Sequence, residues 1–239
     1  MFHKIQFSNS SFYHGQIKND KRHGSGTFHY SNGSVYTGQW VNDKRRGSCT
    51  LQKNNGDLYE GNWVDNGAQG KGTMSYCDGN IYTGDFFLNL RHGQGKMSMT
   101  NGDYYEGDWV MGVMTGNGVK KGGLMKYCGK FIDGVLSGEG KMQNEKGDCY
   151  EGSILEQKPD GYGTMNWANG REYKGDWKEG LMNGVGCMCF KNGNKFTGNW
   201  KLGKMDGSGF TQVIRKNGKV VKNEVVFLDG VMVSAKIYT

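Results

Sequence analysis

The side chains able to do chemistry are few and scattered. Six cysteines, Cys49, Cys77, Cys128, Cys149, Cys187 and Cys189, form no Cys-x-x-Cys pair and no ligand cluster with histidine, so neither a zinc site nor a dithiol redox motif is encoded. Cys187-x-Cys189 is the one close pair, and it reads as two alternating strand positions. Free thiols in a reducing compartment are expected. Of the five histidines, His23 and His92 fall at matching places just before a Gly-x-Gly, which marks them as repeat geometry rather than as bases. Gly-x-Gly itself, as in Gly116-x-Gly118, would cradle a phosphate only between a strand and a helix. Here it recurs throughout the chain. No catalytic residue, metal ligand or cofactor is assigned, and the chain is expected not to be an enzyme.

What positions these residues is a repeat of 23 residues. A Tyr-x-Gly-x-aromatic/aliphatic unit starts at Tyr13, Tyr36, Tyr59, Tyr82, Tyr105, Tyr127, Tyr150 and Tyr173, with Phe196 as the ninth; only the step from Tyr105 to Tyr127 is 22. Eleven residues after each start comes Gly-x-Gly, broken only by Cys49, and an Asn-Gly or similar pair ends the unit, as in Asn32-Gly33 and Asn101-Gly102. Residues i, i+2 and i+4 share one face of a strand, so Tyr, Gly and Trp line up together. The glycines leave room for rings. Asn-Gly between alternating runs predicts a type I′ turn and hence one β-hairpin per repeat. The predicted fold is all-β, an elongated single-layer twisted antiparallel hairpin array, with residues 1–12 a capping strand, 13–218 nine repeats and 219–239 a degenerate cap.

Composition agrees. The 239 residues include 42 glycines and one proline, with 13% aromatics, which excludes collagen and disorder. A hydrophobic content of 35% is lean for a deep core, favouring a thin body. No transmembrane segment is encoded and Met1 to Ser10 resembles no signal peptide, so the expected compartment is cytoplasmic.

Tyr-x-Gly-x-Trp, an interval and Gly-x-Gly, repeated nine times over about Tyr13 to Gly218, resembles the MORN (membrane occupation and recognition nexus) repeat. The resemblance implies a twisted hairpin array used as a scaffold or partner-binding module, often on cytoskeletal, ciliary or membrane-proximal structures. It sets the expected function: a non-enzymatic adaptor in a cytoskeletal assembly of the ciliary axonemal, radial-spoke type. The alternatives are a peripheral membrane module for anionic phospholipid and a groove clamping a helix of a motor or signalling protein.

Three surfaces are candidates for contact. The ring stripe Tyr36, Trp40, Tyr59, Trp63, Tyr82, Phe86, Tyr105 and Trp109 is expected to line a groove for a partner segment, unless it is the sheet's own packing. An apolar patch of Phe87, Leu88, Leu90, Val110, Val113, Ile132 and Leu136 is expected to dock a protein of a larger complex. The net charge of +7 concentrates at Lys21, Arg22, Lys44, Arg45 and Arg46 and at Arg215, Lys216, Lys219 and Lys222, which would meet acidic protein surfaces or anionic lipid. Nucleic acid is not expected, since the basic residues do not interleave with stacking rings along one groove.

Overall fold

The computed structural model describes residues 2–238, and among them there is no helix. The chain divides into two compact units, Met1–Lys120 and Lys121–Thr239. The first holds β1 (His3–Gln6), β2 (Phe12–Lys18), β3 (Lys21–His29), β4 (Val35–Val41), β5 (Lys44–Gln52), β6 (Leu58–Val64), β7 (Gly67–Ser75), β8 (Ile81–Phe87), β9 (Leu90–Ser98) and β10 (Tyr104–Val110). β11 (Val113–Gly122) follows. The second unit holds β12 (Met125–Ile132), β13 (Val135–Asn144), β14 (Cys149–Leu155), β15 (Lys158–Asn166), β16 (Glu172–Lys178), β17 (Leu181–Cys189), β18 (Lys195–Lys201), β19 (Lys204–Ile214), β20 (Val220–Leu228) and β21 (Val231–Tyr238). From β1 to β10, and again from β12 to β21, each strand pairs antiparallel with its sequence neighbours.

The register brings one glycine per strand into a transverse row. Gly15 pairs with Gly26, Gly26 with Gly38, Gly61 with Gly72, Gly72 with Gly84 and Gly84 with Gly95. Each repeat's tyrosine lies over this row. A Cβ placed on Gly26 would fall 2.2 Å from the Tyr13 hydroxyl, and one on Gly95 would fall 2.2 Å from that of Tyr82. The hydroxyls donate to backbone carbonyls three residues on, Tyr13 to Gln16 at 2.9 Å and Tyr82 to Asp85 at 2.9 Å. The core of each unit is therefore a file of rings on one face of a glycine track.

Rings of successive repeats interlock edge to face, an arrangement the ring quadrupole favours. Tyr36 meets Trp40 of its own repeat at 5.1 Å and Trp63 of the next at 5.8 Å. Tyr82 repeats this with Phe86 and Trp109, and Tyr173 with Trp177 and Trp200. Repeat six departs from the rule. Tyr127 is half-exposed, and Leu136 and Ile154 side chains lie beside Gly140 instead. This is the repeat that follows the 22-residue step, where Gly123-Leu124 alone separate β11 from β12.

The turns fall differently from expectation. Asn32-Gly33 is not a type I′ turn: Gly33 alone has positive φ, with Gly33 N–H donating to Tyr30 and Tyr30 N–H to Ser34. That is a three-residue loop closed by a left-handed glycine. The type I′ geometry sits at the other end of each hairpin, at Asn19-Asp20, Asn42-Asp43, Asp65-Asn66, Leu88-Asn89 and Glu156-Gln157, where both residues have positive φ. Tight strand pairing forces the conformation there whether or not glycine is present.

Within each unit, successive hairpins are tied together at their ends. At the type I′ end, Asn66 N–H donates to Arg45 O and Asn89 N–H to Ala68 O, each at 3.1 Å. At the Asn-Gly end, Asn54 N–H donates to the Ser34 hydroxyl, Cys77 N–H to the Asp57 carboxylate and Ala168 N–H to that of Asp148. Hydrogen bonds from Asn55, Cys77 and Lys53 outweigh the cost of burial at Asp57 and hold its carboxyl below the usual range.

Candidate interaction surfaces

The ring stripe is closed. Tyr36, Trp40, Tyr59, Trp63, Tyr82, Phe86, Tyr105 and Trp109 retain 0–4% of their surface, so they form the core and do not line a groove for a partner. The correction has a simple cause, since the second ring of each repeat covers the tyrosine of the repeat before it. An accessible depression of the first unit lies on the opposite, polar face. It encloses about 530 Å³ between Glu60, Lys71, Thr73, Thr83, Lys96 and Glu106, over the backbone of the glycine row.

Arg22 and Arg45 also leave the basic surface. The guanidinium of Arg22 lies 4.3 Å above Trp40, with Nε donating to Asp43 Oδ1 at 2.9 Å and Nη2 to Asp43 O at 3.1 Å. Arg45 lies 4.0 Å above Trp63 and Nη2 donates to Asn66 O at 3.0 Å. Arg91 does the same over Trp109 at 4.5 Å, with Nη2 bonded to Gly112 O. These planar cations cap the ring file and tie each type I′ turn to the repeat before it.

Leu136 takes the equivalent position and is fully buried, so it does not belong to the exposed patch. A two-residue turn sets the residue nine after each tyrosine opposite the inward residue four after it, as Leu136 stands opposite Phe131 and Arg91 opposite Phe86. That spacing was visible in the sequence, and it is the signal that would have placed Leu136 and the three arginines on the ring side.

The rest of the patch is exposed. In the first unit Val64 ends β6, Phe87 ends β8, Leu90 opens β9, Val110 ends β10 and Val113 opens β11, all at the type I′ edge. Leu88 and Met111 occupy the turns between them. Leu88 keeps 57% of its surface and Val110 50%. Phe87 pairs across the hairpin with Leu90, and the Phe87 ring touches His92 at 5.5 Å. His92 Nδ1 in turn accepts from Met111 N–H at 3.4 Å. Ile132 is exposed as well, in the second unit.

The remaining basic residues occupy two different edges. Lys21, Lys44 and Arg46 are exposed near the type I′ turns of the first unit, where Lys44 pairs with Asp65 at 3.4 Å. Arg215, Lys216 and Lys219 surround an Asn-Gly turn of the second unit, and Lys222 is exposed on β20. Cys187 and Cys189 are half-buried on β17. No group of three or more His, Cys, Asp or Glu able to hold a metal occurs among the described residues.

An open antiparallel array in which each hairpin stacks a Tyr-x-Gly-x-Trp ring pair over a glycine row defines a β-hairpin repeat protein. The chain belongs to the MORN repeat family, whose model matches nine consecutive repeats: residues 13–35, 36–58, 59–81, 82–104, 105–123, 127–149, 150–170, 173–195 and 196–212. The MORN repeat is a non-enzymatic repeat module. No curated protein matches the chain in sequence. Among solved structures, it is similar to the TCP domain of Drosophila melanogaster SAS-4, in complex with a proline-rich motif of Ana2, at 14% identity over 82% of this chain and 90% of that one, with a TM-score of 0.29. The TCP10 domain of Danio rerio CPAP, in complex with a peptide of Danio rerio STIL, aligns at 9% identity over 99% of both chains with a TM-score of 0.29. No helix of the described residues is long and apolar enough to cross a membrane.

Proposed function

We propose that the protein is a non-catalytic adaptor that docks a partner protein along the apolar type I′ edge of its first unit, within a cytoskeletal assembly of the ciliary axonemal type. One observation carries the docking surface. Leu88 and Met111 stand at the first position of type I′ turns with φ of 48° and 47°, a conformation that disfavours residues other than Gly, Asn and Asp. Both side chains are exposed. Fold stability favours Asn or Asp at these places, as at Asn42 and Asp65. Leu202 of the second unit is a leucine in the same conformation; what sets Leu88 and Met111 apart is that the flanking Phe87, Leu90, Val110 and Val113 are exposed as well, which points to selection by a contact. The cytoskeletal setting rests on family resemblance.

The test is affinity capture from the organism's own extract at about 0.5 M salt, where screening lengths fall to a few ångströms and attachment through exposed lysines is released. Wild type is compared with Leu88→Asp/Val113→Asp. Retention of axonemal or other cytoskeletal proteins by the wild type alone supports the proposal. Recovery of a bare monomer, or release of every partner by salt, contradicts it, and salt release of bound membranes would favour a lipid-binding role.

A further inference from the structure

The wider turns of the second unit that end in a left-handed glycine, three Asn-Gly and one Lys-Gly, carry a charge pattern that the adaptor reading leaves unused. Its four turns, 145–147, 168–170, 191–193 and 216–218, have Lys146, Arg171, Lys191, Arg215, Lys216 and Lys219 at or beside their tips, against Glu145 and Asp148. All six cations are exposed. None is in an ion pair within 4 Å among the described residues, although the Asp148 carboxyl, held below its usual range chiefly by hydrogen bonds from Ala168 N–H and Asn144, also feels Lys146 and Arg171 through space. The matching edge of the first unit has the opposite balance: Lys53 pairs with Asp57, and Asp78 and Asp103 add negative charge.

The turns of this edge stand beside one another. A Cβ on Gly147 would meet the Ala168 side chain at 3.8 Å and one on Gly170 the Lys191 side chain at 3.5 Å, whereas one on Gly193 would meet Ile214, the last residue of β19, at 2.9 Å, because β19 runs two residues further before its turn. Ala168 N–H donates to Asp148 and Ile214 N–H to Asn194, locking consecutive turns together. The first three tips therefore form a single file, with two strands of about 4.8 Å spacing, or roughly 10 Å, between neighbours, and the fourth continues it two residues further out. A polypeptide in the extended polyproline II form advances about 3.1 Å per residue with three residues per turn, so its every third side chain lies on one face at roughly that interval.

We infer that this edge binds an extended acidic segment of a partner protein, one carboxylate per turn tip. The choice of partner follows from charge and shape. A linear polyanion matches a single file of cations along its whole length. A bilayer presents charge in two dimensions and would meet only that line of tips. Nucleic acid would need exposed rings to stack on, and Trp167 and Phe190 beside these turns are half-buried, with Arg171 held over Trp167 at 5.0 Å. This surface is independent of the apolar edge, so either proposal can fail alone.

The test is fluorescence anisotropy of the full chain with a labelled (Glu-Gly-Ser)4 peptide and a block peptide of the same composition. The spaced peptide is expected to bind more tightly, and Arg215→Glu/Lys216→Glu/Lys219→Glu to weaken it by about tenfold or more, since each exposed ionic contact contributes roughly two- to fivefold. Lys71→Glu/Lys96→Glu/Lys174→Glu, on the polar faces, serves as the charge-matched control and is expected to change binding less than about twofold. Unchanged melting of the first variant shows that the turns still fold. Absence of binding, equal losses from both variants, no preference for the spaced peptide, or tighter binding to phosphatidylserine vesicles or oligo-dT would overturn the inference.

Discussion

Cys49 stands where the glycine row calls for glycine, and Trp63, fourteen residues on, has its buried Nε1 turned to the weakly accepting Cys49 thiol and without a carbonyl acceptor. In the other repeats that place the tryptophan over an intact row, the same atom donates to the carbonyl of the glycine fourteen residues back: Trp40 to Gly26 at 3.2 Å, Trp109 to Gly95 at 3.0 Å and Trp200 to Gly186 at 3.2 Å. One added side chain in the track thus coincides with one lost hydrogen bond in the core. Cys49→Gly is expected to stabilise the fold by about 1 kcal/mol, because an orphaned buried donor costs roughly 1–3 kcal/mol and the added glycine returns about 0.5–1 kcal/mol of that. Urea unfolding measures it. A loss of stability would mean that the thiol fills space the rings need.

The same track predicts which glycines tolerate no side chain. A Cβ at Gly84 would lie 2.4 Å from Gly95 Cα and 2.5 Å from Gln94 O, both backbone atoms that cannot turn aside. Gly84→Ala should cost more than about 2 kcal/mol, or abolish folding, as overpacking does when no rotamer can relieve it. Gly102→Ala meets nothing within 4 Å but has φ of +85°, and should cost only about 1 kcal/mol. Denaturant midpoints of the two variants decide between packing and backbone conformation.

Burial pushes the phenols of Tyr82 and Tyr105 up to about 12 from the ordinary value of 10.0, with Asp85 and Asp108 adding to the shift. A raised native value means that the folded chain holds the proton more tightly. Stability from these groups is therefore complete below pH 10 and is lost as pH rises toward 12. Tyrosinate absorbance of the buried set should appear together with loss of the strand signal in circular dichroism. Ionisation at pH 10 with the sheet intact would show that the rings are not enclosed.

Arginine and lysine at adjacent positions should behave differently. Arg45→Lys loses the planar stack on Trp63 and the fork to Asn66, and should cost about 1–2 kcal/mol. Lys44→Ala removes only an exposed pair with Asp65 and should stay within about 0.5 kcal/mol. Equal effects in thermal melts would place Arg45 on the solvent side after all.

Much of this fold was legible because a strand alternates strictly. Tyr82, Gly84 and Phe86 had to share a face, and they do. Repetition then supplied the neighbours. What was hidden concerns the turns and the closure of the ring file. Asn-Gly is the strongest local signal for a type I′ turn, yet Asn32-Gly33 closes a wider loop while Leu88-Asn89, with no glycine, takes the tight geometry. Pairing register, a property of two strands together, overrides the local preference there. Locating that turn decides which residues face inward, and it separates Leu136 from Leu90 and Arg45 from Lys44. Whether the stripe lies open was equally out of reach, since Tyr36 is covered by Trp63 from the next repeat.

The central claim is that Leu88 serves a contact and not the fold. Leu88→Asn tests it most directly, because the two roles carry opposite signs: asparagine suits positive φ better than leucine, so melting should hold or rise by a few degrees while high-salt capture of the partner falls. A lower melting temperature would make Leu88 part of the core, and undiminished capture would remove it from the docking surface; either result contradicts the account.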